Sequence, residues 1–455
     1  MKTKVSLLIF LTLSLSFSHA QNGRWTSLFN GRDLSGWKQL GGKAKYYVED
    51  NKIIGTTVFD TPNSFIVTEK EYSDFILELE VKLPDSSTNS GIQFRSHYDA
   101  GGNDGKGKVF GYQYELDGSS RAWTGGIYDE SRRGWLYPLD LNSTAKKAYK
   151  QGVFNKVRIE AIGNIIKTWI NDAPASFLID DADASGFIAL QVHRITDTRE
   201  AGKRIQWRNI KIQTVNLKST HFPANVYVAG TSNNKLTTEE IKNGWKTLFD
   251  GRTPNGWRGA RLKSFPDKGW KIEDGAITVL PSKGEESTNG GDIVTTGLYH
   301  AFDLSFDFKI SNGANSGVKY FVTLSEITSG SAIGLEYQIL DNKNHPDAKQ
   351  GIGGNRTLAS LYDLIAAKVD EEFIHPPGKW NTGRIVVYPN NHVEHYLNGV
   401  KVLAYKRGSQ HYRNLVAESK YRNWKNFGEA KKGRILLQDH GDEVSYRNIK
   451  IRTLR

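Results

Sequence analysis

Apolar residues recur at every second position through ILELEVKL (76–83) and IQFRSH (92–97). VRIEAI (157–162) and IIKTWI (165–170) add β-branched runs separated by Gly163-Asn164. Successive side chains of a strand point to opposite faces, so a period of two predicts strands with one buried face. The Gly-Asn pair predicts a turn between two of them. LSFDFKI (304–310), RIVVY (384–388) and HVEHYLNG (392–399) bring the pattern back in the same order. Many short strands with little helix predict an all-β chain of sandwich or jelly-roll type. Thr237-Thr238-Glu239-Glu240 has capping-box spacing and predicts a short helix leading into Trp245. LASLYDLIAA (358–367) is expected to hold one helical turn or more.

The pattern is duplicated. WTSLFNGRDLSGW (25–37) returns as WKTLFDGRTPNGW (245–257), VEDN (48–51) as IEDG (272–275), and IVTEKEYSDF (66–75) as IVTTGLYHAF (293–302). NSGI (89–92) returns as NSGV (315–318), and RNIKI stands at both 208–212 and 447–451. So many matches in one order indicate two copies of one domain. The expected division is a first domain over 21–213, a polar linker with one Pro over 214–236, and a second domain over 237–455. The second copy carries extra loops around 341–378 and 404–431, and loops commonly carry function.

The first twenty residues change the picture. Lys2 and Lys4 precede an apolar run from Val5 to Leu15, and Ser18-His19-Ala20 ends in a small residue before Gln21. This is the layout of a secretory signal peptide over 1–20, and the run is too short to span a bilayer. The mature chain is expected to be exported, soluble and periplasmic, with no membrane span. With no cysteine there is neither a lipid anchor on Cys nor a disulfide framework. The formal charge of +12 falls by two when Lys2 and Lys4 leave. The basic residues are dispersed, and export separates the protein from nucleic acid, so no nucleic-acid partner is expected. Eleven Trp and 20 Tyr suit both a sugar-binding β-protein and a ring-rich sandwich core.

Candidate chemistry lies on the polar faces of the strands. In GYQYELD (111–117), Gln113, Glu115 and Asp117 share a face opposite Tyr112, Tyr114 and Leu116. Its counterpart GLEYQILD (334–341) matches Gln113 with Glu336, Glu115 with Gln338 and Asp117 with Leu340, with Asp341 one place on. ALQVH (189–193) aligns Gln191 with His193, and LLQDH (436–440) aligns Gln438 with His440. IQFR puts Gln93 and Arg95 on one face, and VKYF (318–321) offers Lys319. RAWTGGIYDESRRGWLYP (121–138) adds Arg121, Tyr128, Asp129, Glu130, Arg133 and Trp135, and LYDLI (361–365) adds Tyr362 and Asp363. Solvated surface explains any one such strand, but the same acid, amide and Gln-x-His pattern in both copies points to a site. Planar rings for a sugar's C–H face and charged groups for its hydroxyls are what a carbohydrate rim needs.

LFNGRDLSGW and LFDGRTPNGW, the VEDN/IEDG pair, NSGI/NSGV, EYQILD and LLQDHGDEVSYRNIKI together resemble the 3-keto-disaccharide hydrolase family, also described as 3-keto-glucoside lyase/hydratase and formerly as domain of unknown function 1080. The resemblance covers nearly all of the mature chain. It implies two tandem concanavalin A-like jelly-roll domains related to laminarinase-type glucanases. The first copy departs from the family pattern, with YQYELD for EYQILD and VHR for DHG. The implied reaction starts from a sugar already oxidised at C3. The ketone acidifies the C2 proton, a base removes it, the C1 substituent leaves, and water adds back for net hydrolysis.

The resemblance and this chemistry cast Glu336 or His440 as base, Lys319 on the enolate, and Tyr362 or Asp363 near the leaving group. Glu115, Asp117, His193, Arg95 and Tyr128 are the first-copy set. Gln338, Asp341, Gln438, Gln113, Arg121, Asp129, Glu130, Arg133, Trp135 and Gln191 are expected to bind substrate. No redox cofactor is required, because a separate sugar 3-dehydrogenase would supply the keto-sugar. A divalent metal would suit clustered Glu, Asp, His and Gln, but no fixed ligand spacing marks one. Two other readings stay open. A laminarinase-like glycoside hydrolase needs two carboxylates about the scissile bond, and neither strand supplies that pair. A pair of non-catalytic carbohydrate-binding modules needs only rings and hydroxyl partners.

Overall fold

The computed structural model describes residues 25–105, 107–223, 225–230, 234–324 and 332–455. The expected signal peptide lies outside the described residues. Among the described residues, no helix is long and apolar enough to cross a membrane.

The chain is all-β and forms two sandwiches. A nine-stranded and a seven-stranded sheet draw their strands from Thr26 to Gly230, and an eight-stranded and a five-stranded sheet from Trp245 to Thr453. The strands that matter for the site are β1 (Ser64–Tyr72), β2 (Asn89–Asp99), β3 (Lys108–Asp117), β4 (Ile127–Glu130) and β5 (Gly186–Val192) in the seven-stranded sheet. Their counterparts in the five-stranded sheet are β6 (Asn315–Val322), β7 (Leu335–Leu340) and β8 (Arg434–Leu437). Each sandwich closes over the apolar alternate of these strands. Ile92, Tyr112, Tyr114 and Leu190 join the first core, and Val318, Tyr337, Ile339 and Leu437 the second. The polar alternate therefore faces away from the core in both halves.

The repeated motifs are local devices that build this frame. VEDN and IEDG are hairpin turns, with Asp50, Asn51, Asp274 and Gly275 all at positive φ and strands pairing on either side. Asx and Gly tolerate that conformation, which the right-handed twist of a hairpin favours. In LFNGRDLSGW the Asn30 side chain accepts from Arg32 N at 2.8 Å and Asp33 N at 3.0 Å. In the second copy Asp250 accepts from Arg252 N at 2.8 Å and Thr253 N at 2.7 Å. The indole of Trp37 then donates to Leu28 O, and that of Trp257 to Leu248 O, both at 2.7 Å.

NSG ties the site strands together. Ser90 and Ser316 each donate, at 2.7 Å, to the carbonyl of the glutamine (Gln191, Gln438) in the Gln-x-His segment. The following glycine leaves room for a neighbouring side chain. A Cβ at Gly91 would stand 2.3 Å from Gln113, and one at Gly317 would stand 2.3 Å from Glu336 Oε1.

Four elements differ from expectation or refine it. The capping box forms, with Thr237 and Glu240 bonding reciprocally at the start of α1 (Thr238–Lys242). LASLYDLIAA is not helical: Leu361 bridges to Tyr337 and Ile365, which places the segment at the free edge of β7. Leu358, Leu361 and Leu364 are buried at a spacing of three that imitates a helix face. The linker is polar only in part. Phe222, Val226 and Val228 pack with Trp169 and Phe177, and Ala229–Gly230 pairs in parallel with Ala173–Ile179. The 404–431 segment, expected as a loop, holds a helix, α2 (Gln410–Glu418).

Candidate functional site

The five-stranded sheet presents one row of polar side chains. The register sets Lys319 opposite Glu336 and Gly317 opposite Gln338, while Gln438 N donates to Gly317 O at 3.0 Å. Lys319, Glu336, Gln338, Gln438 and His440, all singled out from the sequence, line one cavity of ≈ 260 Å³. Six further residues complete its lining together with Tyr362: Glu286, Asn315, Ile333, Lys420, Tyr421 and Trp424. Sequence reasoning missed these six. Lys420, Tyr421 and Trp424 come from the 404–431 insertion, whose presence in one copy alone was the available signal.

Glu336 sits over Gly317 with its carboxylate buried. Lys319 Nζ is 3.7 Å from Glu336 Oε2, and both side chains are about 5% exposed. Burial raises the Glu336 pKa against the opposing fields of Lys319, Lys420 and His440. A base with a raised pKa holds a proton more strongly once it has taken it. Lys420 Nζ lies 4.2 Å from the Tyr362 ring centroid. Burial lowers its pKa, Lys319 and Arg356 push the same way, and Glu336 opposes them. Asn315 Nδ2 is 3.3 Å from His440 Nε2, and His440 Nδ1, buried, has no hydrogen-bond partner. Gln438 donates to Glu286 Oε1 at 3.2 Å, and Gln338 donates to Asn315 Oδ1 at 3.4 Å.

Other second-copy candidates are supports. The Asp363 carboxylate accepts from Arg356 Nε and from Lys420 N, both at 2.8 Å. It therefore positions Lys420 and does not line the cavity. Tyr362 does line it, but its hydroxyl donates to Asp347 at 2.8 Å, and burial next to Glu336 and Asp347 pushes its pKa far up. Asp341 accepts from the backbone of Gly313, Lys343 and Asn344, which makes it a turn strut.

The first half keeps the scaffold with other side chains. Gln93 opposes Gln113, and Gly91 opposes Glu115, so Gln93 stands where the second half has Lys319, and Gln113 where it has Glu336. Glu115 accepts from Asn89 at 2.7 Å and from Gln113 at 3.0 Å. Burial nonetheless raises its pKa to about 7. Asp117 pairs with Arg121 at 2.8 Å and accepts from Ser119 N. Arg121 lies over the rings of Trp123 and Trp135, and Tyr128 packs edge-on against Trp135. His193 is exposed, with Nδ1 2.7 Å from Arg194 O, whereas His440 lines the same cavity as Glu336.

Arg95 leaves the face predicted for it. A bulge between Phe94 and His97 and a positive φ of 46° turn its guanidinium away from Gln93, onto Ser73 O, Gly163 O and Asp74. Asp129 and Arg133 are likewise structural: Asp129 is fully buried between Arg132 and Arg133, and Arg133 also holds Asp180. Glu130 accepts from Asn63 at 3.1 Å beside a separate groove.

Among the described residues, no group of three or more His, Asp or Glu converges closely enough to hold an ion.

Comparison with known proteins bears on both halves. The family model for the 3-keto-alpha-glucoside-1,2-lyase-like domain matches residues 24–213 and again 244–452. A protein of Bacteroides thetaiotaomicron named 3-keto-disaccharide hydrolase is 39% identical over 234 residues, spanning 46% of this chain and 79% of that one. A solved structure from Parabacteroides distasonis, provisionally described as a glycosyl hydrolase, is 32% identical, with a TM-score of 0.43 over 49% of this chain and 99% of its own. A carbohydrate-binding module from Bacillus subtilis is 17% identical, with a TM-score of 0.29 over 39% of this chain and 95% of its own.

Proposed function

Because the chain belongs, in both halves, to the 3-keto-alpha-glucoside-1,2-lyase-like family, we propose that its second half cleaves 3-keto-glycosides by elimination and rehydration. The protein is an enzyme of the 3-keto-disaccharide hydrolase and lyase type. The observation that carries the mechanism is the enclosed Lys319–Glu336 pair with Lys420 beside it.

With a 3-keto-sugar in the cavity, the Glu336 carboxylate takes the C2 proton and the electron pair moves onto the C3 oxygen. Lys319 holds that enolate oxygen in a water-poor site, where a fixed cation is most effective. The enolate collapses, the C1–O bond breaks, and Lys420, its pKa lowered by burial, gives its proton to the departing oxygen. Water then adds at C1, giving its proton to the now neutral Lys420, and Glu336 returns its proton to C2. The balance is one water consumed and no net oxidation, so the oxidant belongs to a separate sugar 3-dehydrogenase that supplies the substrate. The proposal includes export of the chain, on the basic, apolar and small-residue order of residues 1–20.

One observation favours the glycosidase reading: Glu286 brings a second carboxylate to the cavity of Glu336. Incubating the full chain with a 3-keto-disaccharide and, separately, with its unoxidised parent tests both. Cleavage confined to the keto-sugar is expected. Equal rates on the two substrates would defeat the elimination mechanism and restore two-carboxylate hydrolysis.

A further inference from the structure

The first half has lost the pair that carries the chemistry. Gln93 and Gln113 stand at the register positions of Lys319 and Glu336. Of the acids left in that row, Glu115 is bonded through both oxygens within the row and Asp117 is paired with Arg121. Yet the same sheet carries a groove of ≈ 910 Å³, more than three times the second-half cavity of ≈ 260 Å³.

The groove has a ligand-binding character of its own. Phe65 and Val109 give it an apolar floor, and Asn63, Glu130, Lys43 and Arg194 stand round it. Asn63 is fixed on both sides: its Oδ1 accepts from Arg194 N at 2.8 Å and its Nδ2 donates to Glu130 at 3.1 Å. Gln191 pairs with Phe65 across β5 and β1 and so shares its face. The Gln191 side chain is fully buried behind the groove; burial raises the Glu130 pKa, and hydrogen bonds from Asn63, Ser131 and Gln191 oppose it. Amides and a carboxyl above an apolar floor match a sugar's hydroxyls and C–H face. The lining charges nearly cancel, with Lys43, Lys108 and Arg194 against Asp60 and Glu130, which suits a neutral ligand.

We propose that the first half binds a neutral, unoxidised oligosaccharide in this groove without cleaving it, whether or not the second half acts on keto-sugars. Several sugar units fit its volume, whereas the second-half cavity suits one. The test is calorimetric titration of the full chain with cellohexaose, laminarihexaose and maltohexaose. Saturable binding of at least one, at one site per chain, is expected. Asn63→Ala and Gln191→Leu should each weaken it tenfold or more, while Lys319→Met in the second half leaves it unchanged. Thermal melts accompany each variant. A variant that loses binding while keeping the parent Tm cannot owe the loss to unfolding. No saturable binding to any of the three sugars overturns the proposal. So does binding that Lys319→Met weakens and Gln191→Leu does not.

Discussion

Lys319→Met separates the two roles assigned to the cavity's buried cation. Methionine keeps the length and apolar stem of the side chain and removes the charge. An enolate oxygen seated as far from Nζ as Glu336 Oε2 is now, 3.7 Å, interacts with the ammonium by about 4 kcal/mol at an effective dielectric of about 20. That corresponds to roughly 10³-fold in rate, close to the cost of removing one preorganised oxyanion donor. Turnover of a 3-keto-disaccharide on the pH plateau should fall by about that factor. The pH dependence should move as well. Lys319 is the largest of the groups that oppose burial at Glu336, so without it the carboxyl keeps its proton to higher pH. Only the ionised form can accept the C2 proton, so the acid limb of kcat/KM must shift upward. The assay is kcat/KM from pH 4 to 9, with circular dichroism to confirm folding. A plateau within about threefold of the parent, or an acid limb that stays put, would refute the pairing of Lys319 as enolate cation with Glu336 as base.

Two further substitutions probe the duplicated scaffold. Gly317→Ala places a Cβ 2.3 Å from Glu336 Oε1 and should cost about 10²-fold in kcat through displacement of the base, while Gly91→Ala, which meets Gln113, should leave keto-sugar turnover unchanged; equal losses from both would place chemistry in the first half too. Glu115, with a folded pKa of about 7 against an ordinary 4.5, favours the folded state below pH 4.5 and loses that contribution as pH rises through 7. Glu115→Gln should therefore gain stability over the parent by about 3 kcal/mol between pH 4.5 and pH 8, read by urea melts at both pH values, and a pH-independent difference would exclude burial as the cause.

The strands, the duplication and the core of the site were legible because each rests on a short-range rule. Period-two alternation placed Glu336 and Gln338 on one face, and repetition of Gln-x-His marked Gln438 and His440. Arg95 was misplaced because the rule fails where a bulge inserts a residue, and nothing in IQFRSH announces one. LASLYDLIAA imitated a helix because its leucines meet the core at every third residue. Asp129, Arg133 and Asp363 were chemically plausible and turned out to be struts, since a lone sequence cannot say which partner a carboxylate will find. Lys420, Trp424 and Glu286 were invisible for the opposite reason: each reaches the cavity from a segment far along the chain, and only the folded sheet brings them together.

The segment joining the halves has a consequence for how the molecule comes apart. Tyr227 accepts from the Tyr137 hydroxyl through its carbonyl at 2.9 Å, its own hydroxyl lies 3.1 Å from Ser305 Oγ, and its ring lies 4.2 Å under the Arg384 guanidinium. Phe373 of the second half packs edge-on against Trp123 of the first. Gene duplication ordinarily leaves two units that can be expressed, cut or lost separately. Here the connecting stretch is a wedge between them, and the second half supplies Trp245 and Phe373 to the first half's core. Cutting the joining segment would strip Trp245 and Phe373 from the first core, so the first half expressed alone should be less stable than it is in the full chain.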